Sequence, residues 1–120
     1  MTEIKFKIYD KNRKRLISGT GYSITGDGEV QTFNKYGVPE GTVNNRHLKP
    51  VIYAGKKDIR GRGIYEGFIV ERKAGKTGDE EITGIVIFEK CQWWIKKYGR
   101  AVPLFSETAI DRIVGSIYDE

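Results

Sequence analysis

Apolar and polar residues alternate at the start of the chain, where Ile4, Phe6 and Ile8 are separated by lysines. A period of two residues sends successive side chains to opposite faces, so the pattern predicts a half-buried β-strand. Residues 10–14 are mostly polar or charged and predict a turn, and residues 15–18 can return as the partner strand. The chain is therefore expected to open with a β-hairpin.

A second hairpin is predicted over residues 22–33. Gly26-Asp27-Gly28 separates two short runs there, and Asp and Gly tolerate the positive φ that such loops need. From residue 34 to Pro50 the pattern disappears among glycine, proline and asparagine, which is typical of a linker. We therefore expect an N-terminal β-rich region and linker over residues 1–50, and a second domain over residues 51–120.

Five short strands are predicted between residues 51 and 118, with one short helical turn at residues 106–110, where Ser106 is the cap. Residues 85–88 form an apolar run rich in β-branched side chains, which is typical of a core strand. The pattern predicts a mostly β protein in which residues 51–118 form a small closed barrel. The residues expected in its core are Ile64, Ile69, Ile85, Ile87 and Ile113.

The stretch from Tyr53 to Val70 joins two of these strands through a basic, glycine-rich loop. Gly55 is expected to end the first strand, and Gly67 allows the backbone turn that precedes the second. Four cations lie in the loop between them, and we expect them to face a partner: Lys56, Lys57, Arg60 and Arg62.

This order of residues resembles the YopX family of small phage and prophage proteins. The hallmark of that family is Tyr-Thr-Gly, an Asp-x-x-Gly loop and then Ile-Tyr-Glu-Gly-Asp-Ile-Val. The positions that match are Tyr53, Gly55, Asp58, Gly61, Ile64, Tyr65, Glu66, Gly67, Ile69 and Val70, and Ala54 and Phe68 depart. The closing Ile-Gly-Asn-Ile-Tyr-Glu of the family is matched at Gly115 and Tyr118, among others. The resemblance implies an SH3-like barrel of YopX type in the second domain.

Specific roles are predicted for two side chains in this stretch, Glu66 and Phe68. Glu66 is expected to accept hydrogen bonds from loop amides, since no second catalytic group accompanies it. Phe68 stands where the family carries Asp, and we expect its ring at the mouth of the barrel, beside residues 56–62, as part of a partner surface. An exposed aromatic in place of an acid favours protein contact.

The neighbours Trp93 and Trp94 must point to opposite faces of a strand, so one is expected to pack inward and the other to meet the surface. We assign Trp94 to the partner surface. The alternative is that both rings are covered, the outer one by the N-terminal region.

Composition narrows the classes of function. The chain has 120 residues and a single cysteine, which excludes an internal disulfide and favours a reducing cytoplasm. No apolar run approaches the roughly 20 residues of a membrane span. The net charge is +5, with six basic and two acidic side chains in residues 1–20 and seven and three in residues 53–76. Clustered cations attract nucleic acid or acidic proteins.

No catalytic, metal or cofactor site is predicted. His47 and Cys91 are the sole residues of their types, so a zinc site of the usual Cys and His composition cannot be assembled. We expect a non-enzymatic phage or prophage accessory protein in the bacterial cytoplasm, which binds a host or phage protein through the barrel and the N-terminal region. The alternative is a sequence-tolerant nucleic-acid-binding module that uses residues 56–62 and Lys11–Arg15. A homo-oligomer is also expected.

Overall fold

The structure is a computed structural model that describes residues 5–75, 80–106 and 109–118. This part of the chain is mostly β, as predicted, with strands joined by tight turns and a single 3-10 turn. The described residues fall into two compact units, 5–52 and 53–118. They contain no helix with the length and hydropathy needed to cross a membrane.

The N-terminal unit contains the two predicted hairpins. Its strands are β1 (Phe6–Asp10), β2 (Arg15–Ser18), β3 (Tyr22–Ile24), β4 (Val30–Thr32) and the first half of β5 (Leu48–Lys57). β1 pairs with β2 on one side and with β5 on the other, so that Ile8 lies opposite both Ile17 and Pro50. Ile8, Val30 and Val51 are the fully or almost fully buried apolar residues among those described in this unit.

One expectation for this unit was wrong. Residues 48–50, assigned to a linker, are the start of β5, because backbone pairing with β1 supplies the order that side-chain alternation does not reveal. A 3-10 turn that was not predicted lies at Val43–Asn45, in the stretch that showed no pattern. The helical turn predicted at residues 106–110 falls partly outside the described residues; the Ser106 hydroxyl accepts a hydrogen bond from the Ala109 amide at 3.1 Å, as expected of a cap, and Ile110 opens a strand.

The C-terminal unit contains the second half of β5 and six further strands. These are β6 (Gly63–Tyr65), β7 (Phe68–Lys73), β8 (Ile82–Glu89), β9 (Gln92–Lys97), β10 (Arg100–Pro103) and β11 (Ile110–Ser116). Five of them form a curled antiparallel sheet in the order β10-β9-β8-β7-β11, which gives a small, barrel-like fold. Gly55 does not end β5 as expected; it has a φ of +90° at an irregularity in the pairing with β6, and the strand continues to Lys57.

Tight hairpins join β8 to β9 and β9 to β10. Both central residues of each turn have positive φ: +51° and +62° at Lys90 and Cys91, and +44° and +66° at Tyr98 and Gly99. Two-residue turns of this kind match the right-handed twist of paired strands. The turn at residues 98–100 was predicted, but β10 was not, because Arg100–Pro103 has too few apolar residues to indicate a strand.

The core of the C-terminal unit lies on the inner face of the curled sheet. Ile64 is fully buried and Ile113 packs against the core, as predicted. Ile85 was predicted to be buried and is 37% exposed, whereas its neighbour Val86 is fully buried. The buried residues are Ala54, Ile64, Val70, Ile82, Val86, Ile95, Val102 and Leu104. Because β8 is apolar on both faces, the sequence did not indicate which set points inward.

Candidate binding surfaces

The basic loop of residues 58–62 is organised by the buried carboxylate of Asp58. Its Oδ1 accepts hydrogen bonds from the backbone N–H groups of Arg60 and Arg62, at 3.0 and 2.9 Å. Its Oδ2 accepts from the Arg62 guanidinium at 3.1 Å and from the Ile113 amide at 3.1 Å. Gly61 completes the turn with a φ of +80°. The loop is therefore a fixed turn around a single anion.

Burial raises the pKa of Asp58, because it disfavours the charged form. The hydrogen bonds donated by Arg62, Ile113 and Arg60 outweigh this effect and hold the pKa of Asp58 below its usual value. The carboxylate is therefore ionised at neutral pH and keeps the loop closed.

The same loop covers the free edge of β11. The Ile59 amide donates to the Asp111 carbonyl at 2.8 Å, and the Arg62 guanidinium donates to the Ile113 carbonyl at 3.0 Å. With the bond from the Ile113 amide to Asp58, three backbone groups of this edge strand are satisfied. A covered edge does not offer its backbone to another strand.

A second charged cluster lies inside the C-terminal unit. Arg72 and Asp111, both buried, form a two-point ion pair, with Nε to Oδ1 at 2.7 Å and an N–H to Oδ2 at 2.9 Å. Lys56 Nζ donates to the same Oδ2 at 2.7 Å. Arg72 also donates to the carbonyls of Pro103 and Leu104, and Lys56 to that of Leu104. The cluster ties β5, β7 and β11 to the segment after β10.

Burial raises the pKa of Asp111, whereas the hydrogen bonds and charges of Arg72 and Lys56 lower it and prevail. The pKa of Asp111 therefore lies below its usual value, and the carboxylate is charged at neutral pH. Sequence analysis missed this cluster. The sequence carries no clear signal for it, because Arg72 and Asp111 each stand beside other charged residues in their strands; they can be recognised as partners only once β7 and β11 are known to be neighbours.

The four cations predicted as one partner surface have two different environments. Lys56 and Arg62 are bound to Asp111 and Asp58. Lys57 and Arg60 are exposed, and among the described residues neither forms an ion pair. The loop therefore presents two available cations instead of four.

The residues of the N-terminal basic segment, Lys11–Arg15, form the turn between β1 and β2, and all five are exposed. Asp10, which precedes them, is buried, and its Oδ1 accepts hydrogen bonds from the amides of Asn12 and Arg13 at 3.0 and 3.2 Å. The turn is thus supported by an aspartate in the same way as the loop at residues 58–62.

Three aromatic rings form a row in the C-terminal unit. The ring centroids of Tyr53 and Tyr65 are 5.3 Å apart, and those of Tyr65 and Phe68 are 5.4 Å apart. Phe68 is half-buried, with its ring against Tyr65. Its role in partner binding remains a prediction. Glu66 is also half-buried, but no hydrogen bond to its carboxylate occurs within the described residues. The amides of Arg60 and Arg62 donate to Asp58, and the role assigned to Glu66 remains a prediction.

The two tryptophans point to opposite faces of β9, as predicted. Trp93 packs against the core and meets the ring of Phe88 edge-on, at 5.3 Å between centroids. Trp94 pairs with Ile87 on the outer face of the sheet and donates its indole N–H to the Glu89 carbonyl at 3.0 Å.

An apolar groove of about 540 Å³ lies on this outer face. Its floor contains Ile69, Ile85 and Ile87, three of the five residues predicted for the core. Ile69 lies directly opposite Ile85 in the pairing of β7 with β8. The remaining lining residues are Thr83, Gly84, Lys96, Lys97 and Tyr98. All of these residues belong to the C-terminal unit.

Within the described residues, no group of three or more His, Cys, Asp or Glu side chains is placed to hold a metal ion. The described charged side chains that are buried are Asp10, Asp58, Arg72 and Asp111. Each is engaged in the turn or ion-pair contacts given above.

Comparison with solved structures identifies the fold. The crystal structure of the protein YopX from Bacillus subtilis superposes with a TM-score of 0.59 over 98% of this chain and 94% of that chain, at 19% sequence identity. The chain has the YopX fold. The sequence matches no protein-family model and no curated protein.

The residues that carry the YopX resemblance take structural positions. Asp58 and Gly61 form the turn that covers β11. Gly67 joins β6 to β7, donates to the Val86 carbonyl at 2.8 Å and accepts from the Ile117 amide at 2.9 Å. Gly115 lies opposite Ile69 beside an irregularity in β11, and Tyr118 is buried. The residues of the YopX-like motif thus lie at the turns and backbone contacts that connect the strands of the C-terminal unit.

Proposed function

We propose that this protein is a non-enzymatic binding protein that docks a partner protein on the outer face of its five-stranded sheet. The observation that carries the proposal is the apolar floor of Ile69, Ile85 and Ile87 in a groove open to solvent. Burying such residues against a partner contributes about 25 cal/mol per Å² of apolar surface. Adjacent isoleucines on an outer face have no role in the core of their own unit.

Trp94 supports the same face. It lies opposite Ile87 in the pairing of β8 with β9, and its indole N–H is already bonded to a backbone carbonyl. A half-exposed tryptophan with a satisfied N–H supplies a large, rigid contact area, and Trp is enriched among the residues that dominate interfaces. Trp94 is therefore the expected anchor at one end of the groove.

The charged side chains in the groove favour an acidic partner. Lys96 and Lys97 are the charged residues of the lining. Lys97 forms no ion pair within the described residues; its ammonium lies 5.9 Å from the ring of Tyr98. Lys96 makes a 3.6 Å contact with Glu89 in which both side chains are about half exposed, and such pairs contribute little. A partner segment with apolar side chains flanked by carboxylates fits this chemistry.

The loop at residues 58–62 supports the proposal less well. Lys56 and Arg62 have internal partners, so the loop offers Lys57 and Arg60 alone as cations. The YopX resemblance supports the role of a phage or prophage accessory protein, and we include that role and a cytoplasmic location in the proposal. A homo-oligomer also remains a proposal.

The test is a pull-down from nuclease-treated bacterial lysate with three forms of the protein. The wild type, Ile85→Asp and Ile59→Asp are compared; Ile59 is 63% exposed in the loop at residues 58–62 and outside the groove. Proteins captured by the wild type and by Ile59→Asp, but not by Ile85→Asp, would support docking in the groove. Capture of the same proteins by all three forms would refute it.

The acidic nature of the partner is tested with the same captured protein. Lys96→Glu and Lys97→Glu together reverse the charge of the lining and leave its floor intact. Binding should weaken by tenfold or more at low salt, and the loss should diminish as salt rises, because screening removes the charge term. Unchanged affinity would show that the partner segment binds through apolar side chains and not through carboxylates.

A further inference from the structure

The net positive charge of the protein is concentrated in the N-terminal unit. Residues 5–52 contain nine basic and four acidic side chains, which accounts for the whole net charge of +5. In the C-terminal unit, by contrast, Lys56, Arg62 and Arg72 are paired with the carboxylates of Asp58 and Asp111. The long-range positive field of the molecule therefore arises from the N-terminal unit.

Four of those nine cations lie within five residues at the β1–β2 turn. They are Lys11, Arg13, Lys14 and Arg15, and all are exposed. Among the described residues, a single carboxylate contacts this group: Asp10, whose Oδ2 lies 3.9 Å from Arg13. Asp10 is buried, and its Oδ1 is occupied by the backbone of the turn.

The backbone beneath these cations is fixed at several points. The Lys11 amide donates to the His47 carbonyl at 2.9 Å, and the amides of Asn12 and Arg13 donate to Asp10. Lys14 has a φ of +53°, and Arg15 pairs with Asp10 as the first residue of β2. The four charges are therefore held on a rigid turn, which reduces the entropy lost when they bind.

We infer that the tip of this hairpin, Lys11–Arg15, is a binding site for the phosphate backbone of nucleic acid. The tip contains lysine, arginine and asparagine and no apolar side chain. Protein interfaces have apolar or aromatic centres, and membrane-surface segments insert apolar side chains, so the tip suits neither. Phosphate contacts require charge and hydrogen-bond donors alone.

The pairing of the hairpin assigns it to the phosphates and not to the base edges. β1 is paired with β2 on one side and with β5 on the other, so the hairpin is not a free two-stranded ribbon of the kind that enters the major groove. Contacts made by lysine and arginine to phosphates carry no sequence information, so binding is expected to be sequence-tolerant and strongly dependent on salt.

The test measures fluorescence anisotropy of a labelled 20-base-pair duplex of mixed sequence with the full chain over a series of salt concentrations. Four phosphate contacts predict a slope of log K against log salt between about −3 and −4, because each contact contributes about −0.9. The variant Lys11→Gln/Lys14→Gln removes two charges from exposed side chains that form no ion pair within the part of the chain that the structure describes. Its slope should become less negative by about 2, with at least a tenfold loss of affinity at low salt.

The control is Lys73→Gln/Lys90→Gln, which removes the same charge from two exposed lysines of the C-terminal unit. Its slope should equal that of the wild type. Circular dichroism confirms that all forms fold. An equal loss of affinity in both double variants would show that binding depends on the net charge of the protein and would refute the proposed site.

Two further outcomes would also overturn the inference. The first is the absence of binding at 50 mM salt and micromolar protein. The second is equal or tighter binding of polyglutamate or of vesicles that contain anionic lipid, which would assign the tip to an acidic protein or to a membrane.

Discussion

The ring of Tyr118 lies so close to the Cα of Gly67 that a β-carbon at position 67 would be 2.7 Å from Cε2 of the ring. Gly67 also has a φ of +85°, a conformation that side chains with a β-carbon disfavour. Position 67 therefore has two independent reasons to be glycine. Both residues match the YopX motif, and their contact brings the turn before β7 against the end of the chain.

Gly67→Ala should lower the free energy of unfolding by about 3 kcal/mol, from positive-φ strain together with the clash against the ring. Gly61→Ala is the matched control, since Gly61 has a φ of +80° and a β-carbon there would meet nothing within 4 Å. It should cost about 1 kcal/mol. Urea unfolding followed by tryptophan fluorescence reports on this unit, which contains both tryptophans. Equal costs would show that the ring moves aside freely.

Removing Asp111 should destabilise the C-terminal unit more than breaking an exposed ion pair does. Asp111→Ala leaves Arg72 buried without its carboxylate and should cost about 3–5 kcal/mol. The control is Arg112→Met at the next residue. It breaks the exposed ion pair between Arg112 and Glu71, whose charged atoms are 3.0 Å apart. That change should cost at most about 1 kcal/mol. A comparable cost for the two variants in urea unfolding would contradict the structural role of the buried cluster.

Stability should fall as the pH drops below about 4. The pKa values of Asp58 and Asp111 are lower in the folded state than in the unfolded state, so the unfolded chain binds more protons in this range. Their contribution is complete above the unfolded value of about 3.9 and is lost as the pH falls through the lowered folded values. Melting temperatures between pH 7 and pH 2.5 measure the effect. Asp58→Asn should reduce the slope, and an unchanged slope would exclude Asp58 as a contributor.

Ile85 and Val86 should respond in opposite ways to aspartate. Val86→Asp places a carboxylate in the core and should cost several kcal/mol, enough to unfold the unit. Ile85→Asp lies on the outer face, where the residue is already 37% exposed, and should cost about 1 kcal/mol or less. Circular dichroism and urea unfolding distinguish the two. Unfolding by Ile85→Asp would show that the outer face is buried in the native protein.

Phe68→Asp should cost about 1–2 kcal/mol, because the ring is half-buried and the substitution removes its contact with Tyr65. Phe68→Leu is the control that retains an apolar side chain, and it should cost less. If partner binding is lost in Phe68→Asp at unchanged melting temperature, the ring belongs to the partner surface. A loss above about 3 kcal/mol would make it part of the core.

Alternation and turn residues along the chain were sufficient to predict the two hairpins of the N-terminal unit and the opposite orientations of Trp93 and Trp94. It failed where both faces of a strand are apolar. In β8, Ile85 and Val86 have the same propensity and nearly the same hydropathy, so the choice of inner face depends on the twist of the sheet and the pairing with β9. That information is not local to the strand.

The candidate sites show the same limit. The Asp-x-x-Gly turn was recognised in the sequence, but its role as an edge cover depends on Ile113, which is 55 residues from Asp58. The cations Lys56 and Arg62 looked equivalent to Lys57 and Arg60 because the sequence does not show their partners. Asp111 is 55 residues from Lys56, and Asp58 reaches Arg62 only through the turn between them. A groove made of isoleucines on two strands has no signature in any single stretch of sequence.

The cover over β11 also has a consequence for how the protein is made. It joins the loop at residues 58–62, near the start of the C-terminal unit, to a strand about 50 residues later, so the contact forms only after Ile113 has been synthesised. Contacts between distant residues form slowly because the intervening chain must first be ordered. Until β11 arrives, β7 has an unpaired side, and a ribosome-bound chain exposes an edge on which a second nascent chain can assemble. Premature termination before residue 110 should therefore yield aggregates rather than a smaller folded protein.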